Sequence, residues 1–217
     1  MNFASLCILA YKRPQELKVC LESLLQTIDY PCETIINFDG VESMVDVMHT
    51  FPTKFSKLIV NRGKNRGVGR SFKNCLGLAE GEFVFKVDSD IIFREKWLSR
   101  AVQVLTDNPD VGSVGLFDYN RQDVNDNRFK PENNVIEKRK DCLIVKDFVS
   151  SIYGFRRKDL DLNKEVYDDG AHQSFGKMAL IDLVDNKSWG FNSVYVTLKP
   201  DGTAFKSPTH DEPLIFR

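Results

Sequence analysis

Asp88-Ser89-Asp90 interrupts the apolar run FVFKVDSDIIF, residues 83–93, and puts two carboxylates one residue apart at the tip of a segment that reads as a buried strand. If the tip stays extended, both side chains point the same way, because side chains alternate along a strand with period two. Two like charges on one side repel unless a cation sits between them. Carboxylate oxygens suit hard divalent ions such as Mg²⁺ or Mn²⁺, which take one or two protein carboxylates together with substrate phosphates. Asp-Ser-Asp is also ordinary composition for a solvated turn, so the pair alone leaves both readings open.

A second group lies upstream. The stretch NRGKNRGVGRSFKN, residues 61–74, carries Arg62, Lys64, Arg66, Arg70 and Lys73 among Gly63, Gly67 and Gly69, and leads into a helical pattern. A helix N-terminus with glycine-exposed amides and nearby cations suits an anion. The spacing matches neither a P-loop nor a dinucleotide fingerprint, and a nucleic-acid backbone contact or a plain solvated loop are the other readings. Asp168 and Asp169, in VYDDGAHQSF, can cap a following helix or serve as a general base toward an attacking hydroxyl. His210, in SPTHDEP, is either a surface residue or, as a neutral imidazole, a third metal ligand.

The elements that must position these residues follow from periodicity. Leu6–Ala10 reads as a buried strand, and Pro14 opens a helix with Leu17, Cys20, Leu21, Leu24 and Leu25 at helical spacing. Glu33–Phe38 is a second strand, closed by Asp39-Gly40, and Val41–His49 a short helix. Lys57–Val60 is a third strand, Val68–Ala79 a helix and Phe83 onward the fourth strand. A helix over Glu95–Leu105 and a strand over Val111–Phe117 continue the alternation, which predicts a mainly parallel sheet flanked by helices. Ligands of such sheets bind beyond the carboxyl ends of the strands, where Ala10–Arg13, Asp39, the basic loop and Asp88–Asp90 share one edge. Beyond this, Asp118–Pro131 reads as a loop, VIEKR and CLIVKDFVSSIYGF as strand-like runs, Ala171–Leu183 as a helix, Asn192–Leu198 as a last strand and the tail as irregular.

Composition bounds the rest. A chain of 217 residues with 42% hydrophobic content buries one sizeable core, so residues 1–217 are expected to form a single domain. Lys and Arg total 30 against 31 for Asp and Glu, so no global field selects nucleic acid, membrane or acidic partners. The five cysteines are far apart and form no CxxC pair, which favours a reducing compartment. No run of apolar residues is long enough for a spanning helix. A cytoplasmic protein is expected.

Together the motifs resemble the GT-A glycosyltransferases of the family 2 type, most closely over the first 95 residues. ILAYKRP resembles the family's first strand and turn, with Ala10, Tyr11 and Arg13 at the positions that touch the nucleotide. Asp39 in NFDG resembles the acid that contacts base or ribose, although the family more often shows Asp-Asp-Gly-Ser. NRGKNRGVGRSFKNCLGLAEGEFVFKVDSD is similar to a pattern of the form NxGxxxARNxGLxxAxGEYxxFLDxDD, with Arg70 near the family's Arg-Asn pair and Asp88 and Asp90 on its DxD motif. FVSSIYGFRRKDL resembles the acceptor side, Asp168-Asp169 the family's Glu-Asp motif, and His210 a late histidine that coordinates metal in some members.

The resemblance implies an α/β, Rossmann-like GT-A fold, a nucleotide-sugar half over residues 1–95 and an acceptor half over 96–217. It implies Mn²⁺ or Mg²⁺ on Asp88, Asp90 and His210, and a nucleotide-diphospho-sugar donor, by family habit a UDP-sugar, held by Ala10, Tyr11, Arg13, Asp39, Arg66, Arg70, Asp88 and Ser89. Asp169, or Asp168, is then the base for an inverting transfer to an acceptor hydroxyl of a glycan, lipid-linked glycan, protein, small molecule or modified nucleic acid. The alternatives are a sugar nucleotidyltransferase, for which Leu9–Pro14 lacks the glycine-rich signature, and a non-catalytic nucleotide-sugar or nucleic-acid binding module.

Overall fold

The computed structural model describes residues 2–11, 14–39, 56–61, 66–116, 135–145 and 152–160, together with the backbone of short strands at 178–181, 194–195, 197–198, 204–205 and 213–214. The expected helix at Val41–His49 and loop at Asp118–Pro131 lie outside these residues.

In the first half, one helix separates the first strand from the second and another separates the third from the fourth, as the periodicity predicts. β1 (Ala4–Ala10) is buried along its whole length, β2 (Cys32–Asp39) nearly so, and both pair in parallel with register Ala4 to Cys32 through Ala10 to Phe38. A strand covered on both faces has no reason to alternate polar residues, hence the mostly apolar sequence of β1, broken only by Ser5. β3 (Lys57–Asn61) extends the sheet beyond β2, and β4 (Phe83–Asp88) pairs with the other side of β1. Helix α1 (Pro14–Thr27) buries Leu17, Cys20, Leu21 and Leu24 on one face of the sheet. Helix α2 (Val68–Leu76) buries Phe72, Cys75 and Leu76 on the other. Helix α3 (Trp97–Asp107) joins the α1 side, where Trp97 packs edge-on to Phe85 with ring centroids 5.9 Å apart.

α3 starts two residues later than periodicity suggests because Lys96 has φ 63°, a left-handed conformation that a right-handed helix cannot contain. Its first turn is capped from a distance: Asp29 accepts hydrogen bonds from the Ser99 N–H and hydroxyl.

The sheet then becomes mixed. β5 (Ile91–Ile92) pairs with β11 (Val194–Tyr195) away from the main sheet. β6 (Ser113–Leu116), β7 (Val135–Lys138), β8 (Leu143–Val145), β9 (Ile152–Arg156) and β10 (Met178–Ile181) complete a main sheet of order β3-β2-β1-β4-β9-β6-β10-β8-β7 among the described residues. β9 runs antiparallel between β4 and β6.

CLIVKDFVSSIYGF is not one run: β8 and β9 sit apart in the sheet, separated by β6 and β10. Residues 178–181, expected in a helix, form β10, parallel to β6 and antiparallel to β8. A short apolar segment reads equally as helix or strand, and two-sided pairing decides it. Asn192–Leu198 is divided between β11 and β12 (Thr197–Leu198), and the tail contributes β13 (Ala204–Phe205) and β14 (Pro213–Leu214).

Candidate functional site

The carboxyl ends of β1, β2 and β4 and the N-terminus of α2 enclose a cleft of about 120 Å³, lined by Leu9, Ala10, Tyr11, Asp39, Gly67, Val68, Ser71 and Asp88. Parallel strands end on one edge, which is why residues far apart in sequence meet there.

Asp39 ends β2 and is 3% exposed. Its Oδ2 accepts from the backbone N–H groups of Arg66 (2.7 Å) and Gly67 (2.9 Å), while Oδ1 has no partner among the described residues. Gly67 has φ +85°, open to glycine at no steric cost, and this lets the loop turn both amides onto the carboxylate. Ser71, in the first turn of α2 and 2% exposed, likewise has an Oγ without a partner on the cleft wall. Behind Asp39, Asn37 Oδ1 accepts from the side-chain amides of Asn61 and Asn74, each at 3.3 Å.

Asp88 ends β4 and is half-buried. The chain turns at Ser89-Asp90 rather than staying extended, so the period-two expectation for Asp88 and Asp90 does not hold: Asp88 lines the cleft, whereas Asp90 is 7% exposed within the turn. Two residues before Asp88, the buried Lys86 forms an ion pair with its Oδ1. Beneath the turn the Cys20 thiol donates to the Asp88 carbonyl at 3.8 Å, and burial, reinforced by Asp90 and Asp88, pushes it up to about 12.

The structure thus brings together Ala10, Tyr11, Asp39 and Asp88, with Arg66 joined through its backbone and Ser89 and Asp90 in the adjoining turn. Arg70 lies on the exposed side of α2 and is not among the lining residues. Arg13, Asp168, Asp169 and His210 lie outside the described residues. Among the described residues no group of three or more His, Cys, Asp or Glu forms a metal cluster. Asp88 and Asp90 supply hard oxygen donors only, a set that fits Mg²⁺ or Mn²⁺ with phosphate and water completing the shell. Lys86, Val68 and Ser71 were not singled out from sequence; a lone lysine at period two from a carboxylate, in an otherwise apolar strand, is the signal that marks the first.

Among the described residues no helix is long and apolar enough to cross a membrane. The fold is shared with solved glycosyltransferases. S. aureus TarS in complex with UDP-GlcNAc matches with a TM-score of 0.63 at 17% identity, over 96% of this chain and 62% of that one. The mannosyltransferase PcManGT from Pyrobaculum calidifontis, in complex with GDP-Man and Mn²⁺, matches with a TM-score of 0.61 at 19% identity, over 89% and 56%. An uncharacterized glycosyltransferase of Haemophilus influenzae is 29% identical over 131 residues, 57% of this chain and 49% of that protein. A glucosyl-dolichyl phosphate glucuronosyltransferase of Haloferax volcanii is 27% identical over 110 residues, 50% of this chain and 35% of that protein. The chain therefore spans about half or less of the length of these curated relatives. The family model for glycosyl transferase family 2 matches residues 5–182, and with the α/β fold just described the chain belongs to that family.

Proposed function

We propose that the chain is a glycosyltransferase that binds a nucleotide-diphospho-sugar in the cleft and passes its sugar to an acceptor hydroxyl. The observation that carries this reading is a pair of buried polar atoms on the cleft wall, Asp39 Oδ1 and Ser71 Oγ, that have no partner among the described residues. Buried polar groups are rarely left unsatisfied, and a ligand with hydrogen-bonding edges satisfies both. Asp39 takes an N–H of the base or a ribose hydroxyl, its orientation fixed by the Arg66 and Gly67 amides. Tyr11, exposed at the cleft mouth, offers a ring face to the base.

Asp88 and Asp90, with His210, hold Mn²⁺ or Mg²⁺ in this reading, and the ion's contribution when bound is to neutralise the diphosphate leaving group. Residues 1–95 serve the donor and 96–217 the acceptor. Asp169, or Asp168, removes the acceptor proton. The acceptor oxygen bonds to the anomeric carbon as the carbon–oxygen bond to the diphosphate breaks, the proton stays on the carboxylate, and attack from the opposite face inverts the centre. That neighbours of the same fold carry UDP-GlcNAc and GDP-Man supports a uridine or guanosine diphosphate sugar. Five cysteines, none in a disulfide, support a reducing, cytoplasmic setting.

A donor panel of UDP-GlcNAc, UDP-glucose and GDP-mannose with Mn²⁺, read by thermal shift, tests this. A donor at a hundred times its Kd stabilises the fold by about 2.7 kcal/mol, and Asp39→Asn removes most of the effect. No shift with any donor overturns donor binding. A donor that shifts the melting temperature yet releases no diphosphate with any acceptor overturns transfer.

A further inference from the structure

Lys86 is 6% exposed in the middle of the sheet, on the face that carries Val84, Tyr153 and Phe155. A buried ammonium is costly unless its charge is met. One partner is the cleft carboxylate itself, Asp88 Oδ1, on the same face of β4, and the Lys86 Nζ also lies 5.7 Å from the centroid of the Tyr153 ring. The cleft presents two carboxylates, Asp39 and Asp88, to a ligand that the donor reading makes strongly anionic. A cation fixed underneath one of them relieves that conflict from inside the protein.

We propose that Lys86 is a built-in counter-ion for Asp88, a positioning residue that holds the carboxylate at the cleft wall and offsets its charge, so that a nucleoside diphosphate binds appreciably before any divalent ion arrives. This rests on the donor-site reading. It has a consequence of opposite sign for the two ligands. Without the ammonium, Asp88 repels a diphosphate more strongly and attracts a divalent cation more strongly.

The experiment compares wild type, Lys86→Met and Lys86→Arg in two titrations: UDP in the presence of EDTA, by calorimetry, and Mn²⁺ alone, by the EPR signal of the free ion. Lys86→Met is expected to weaken metal-free UDP binding about tenfold and to tighten Mn²⁺ about threefold, with Lys86→Arg restoring both to within about threefold of wild type. Weakening of both ligands together, with a lowered melting temperature, assigns Lys86 to packing alone and overturns the proposal. So does no change in either. Lys86→Gln supplies a second neutral variant, and failure of both neutral variants to fold has the same meaning. Wild type that binds no UDP in EDTA but binds it once Mn²⁺ is added overturns the proposal and leaves the donor reading intact; wild type that binds no UDP under either condition overturns both.

Discussion

Two aspartates one residue apart are placed differently because the strand ends between them. Asp88 keeps the strand direction and reaches the cleft, while Asp90 is drawn into the turn and is almost covered. Under the proposed mechanism Asp90→Ala lowers Mn²⁺-dependent kcat/KM by about a hundredfold or more, equivalent to about 2.7 kcal/mol of transition-state stabilisation. Far-UV circular dichroism should be unchanged, and full activity in the variant would rule out the metal role of the turn. The lining of the cleft was legible from sequence where a strand ends: Ala10, Asp39 and Asp88 close β1, β2 and β4, and Tyr11 follows Ala10. It was illegible where meaning comes from neighbours distant in the chain. Nothing in FVFKVD announces that Lys86 sits opposite Tyr153 in the sheet, and nothing in RSFKN that the Ser71 hydroxyl has no partner among the described residues.

At the scale of elements, β1 to β4 were readable because each is a run rich in strand-forming residues, with α1 between β1 and β2 and α2 between β3 and β4. β10 was not, since four residues, Met178–Ile181, contain too few turns of either period to distinguish them, and the pairing with β6 and β8 that decides the matter is non-local. β9 owes its place to a similar distant fit. Gly154 lies directly opposite Phe85, whose ring covers it so closely that an added Cβ would stand 2.3 Å from a ring carbon. The ring has little room to retreat, being packed against Trp97. Gly154→Ala should therefore cost about 1–3 kcal/mol, seen as a lower urea midpoint at constant m-value. A midpoint equal to wild type would mean that the Phe85 ring moves freely. Arg156, at the end of the same strand, donates to the carbonyls of Leu105, Pro109 and Val111, and so fastens β9 to the end of α3.

For the molecule as a whole, the edge opposite the cleft is fastened by one charged knot. Glu33 accepts from the Ser5 hydroxyl (2.6 Å) and the Glu80 N–H (2.7 Å) and pairs with Lys57 (2.9 Å), which also reaches Glu80, so β1, β2, β3 and the approach to β4 share it. Burial alone raises the Glu33 carboxyl, but the bonds from Ser5, Glu80 and Lys57 outweigh it and hold the carboxyl below its ordinary value. The Lys57 ammonium is raised by hydrogen bonds to Glu80 and then Glu33. A lowered acid contributes stability that is complete above its unfolded pKa, about 4.3, and is lost as pH falls through the folded value. A raised base contributes below its unfolded pKa, about 10.4, and loses it as pH rises through the folded value. The melting temperature is accordingly expected to hold steady between those limits and to fall on both sides. Glu33→Gln should flatten the acid limb, and an unaltered limb would place the acid sensitivity elsewhere.

The antiparallel insertion of β9 sets the order of events during synthesis. The β1 edge of β4 can be paired once Phe83–Asp88 has left the ribosome, but its other edge has no partner until Ile152–Arg156 has followed. Throughout that interval a growing chain presents Val84 and Phe85 on an open strand, a template for pairing with another nascent copy. Slower elongation between Asp88 and Ile152 is therefore expected to lower the soluble fraction of newly made chain.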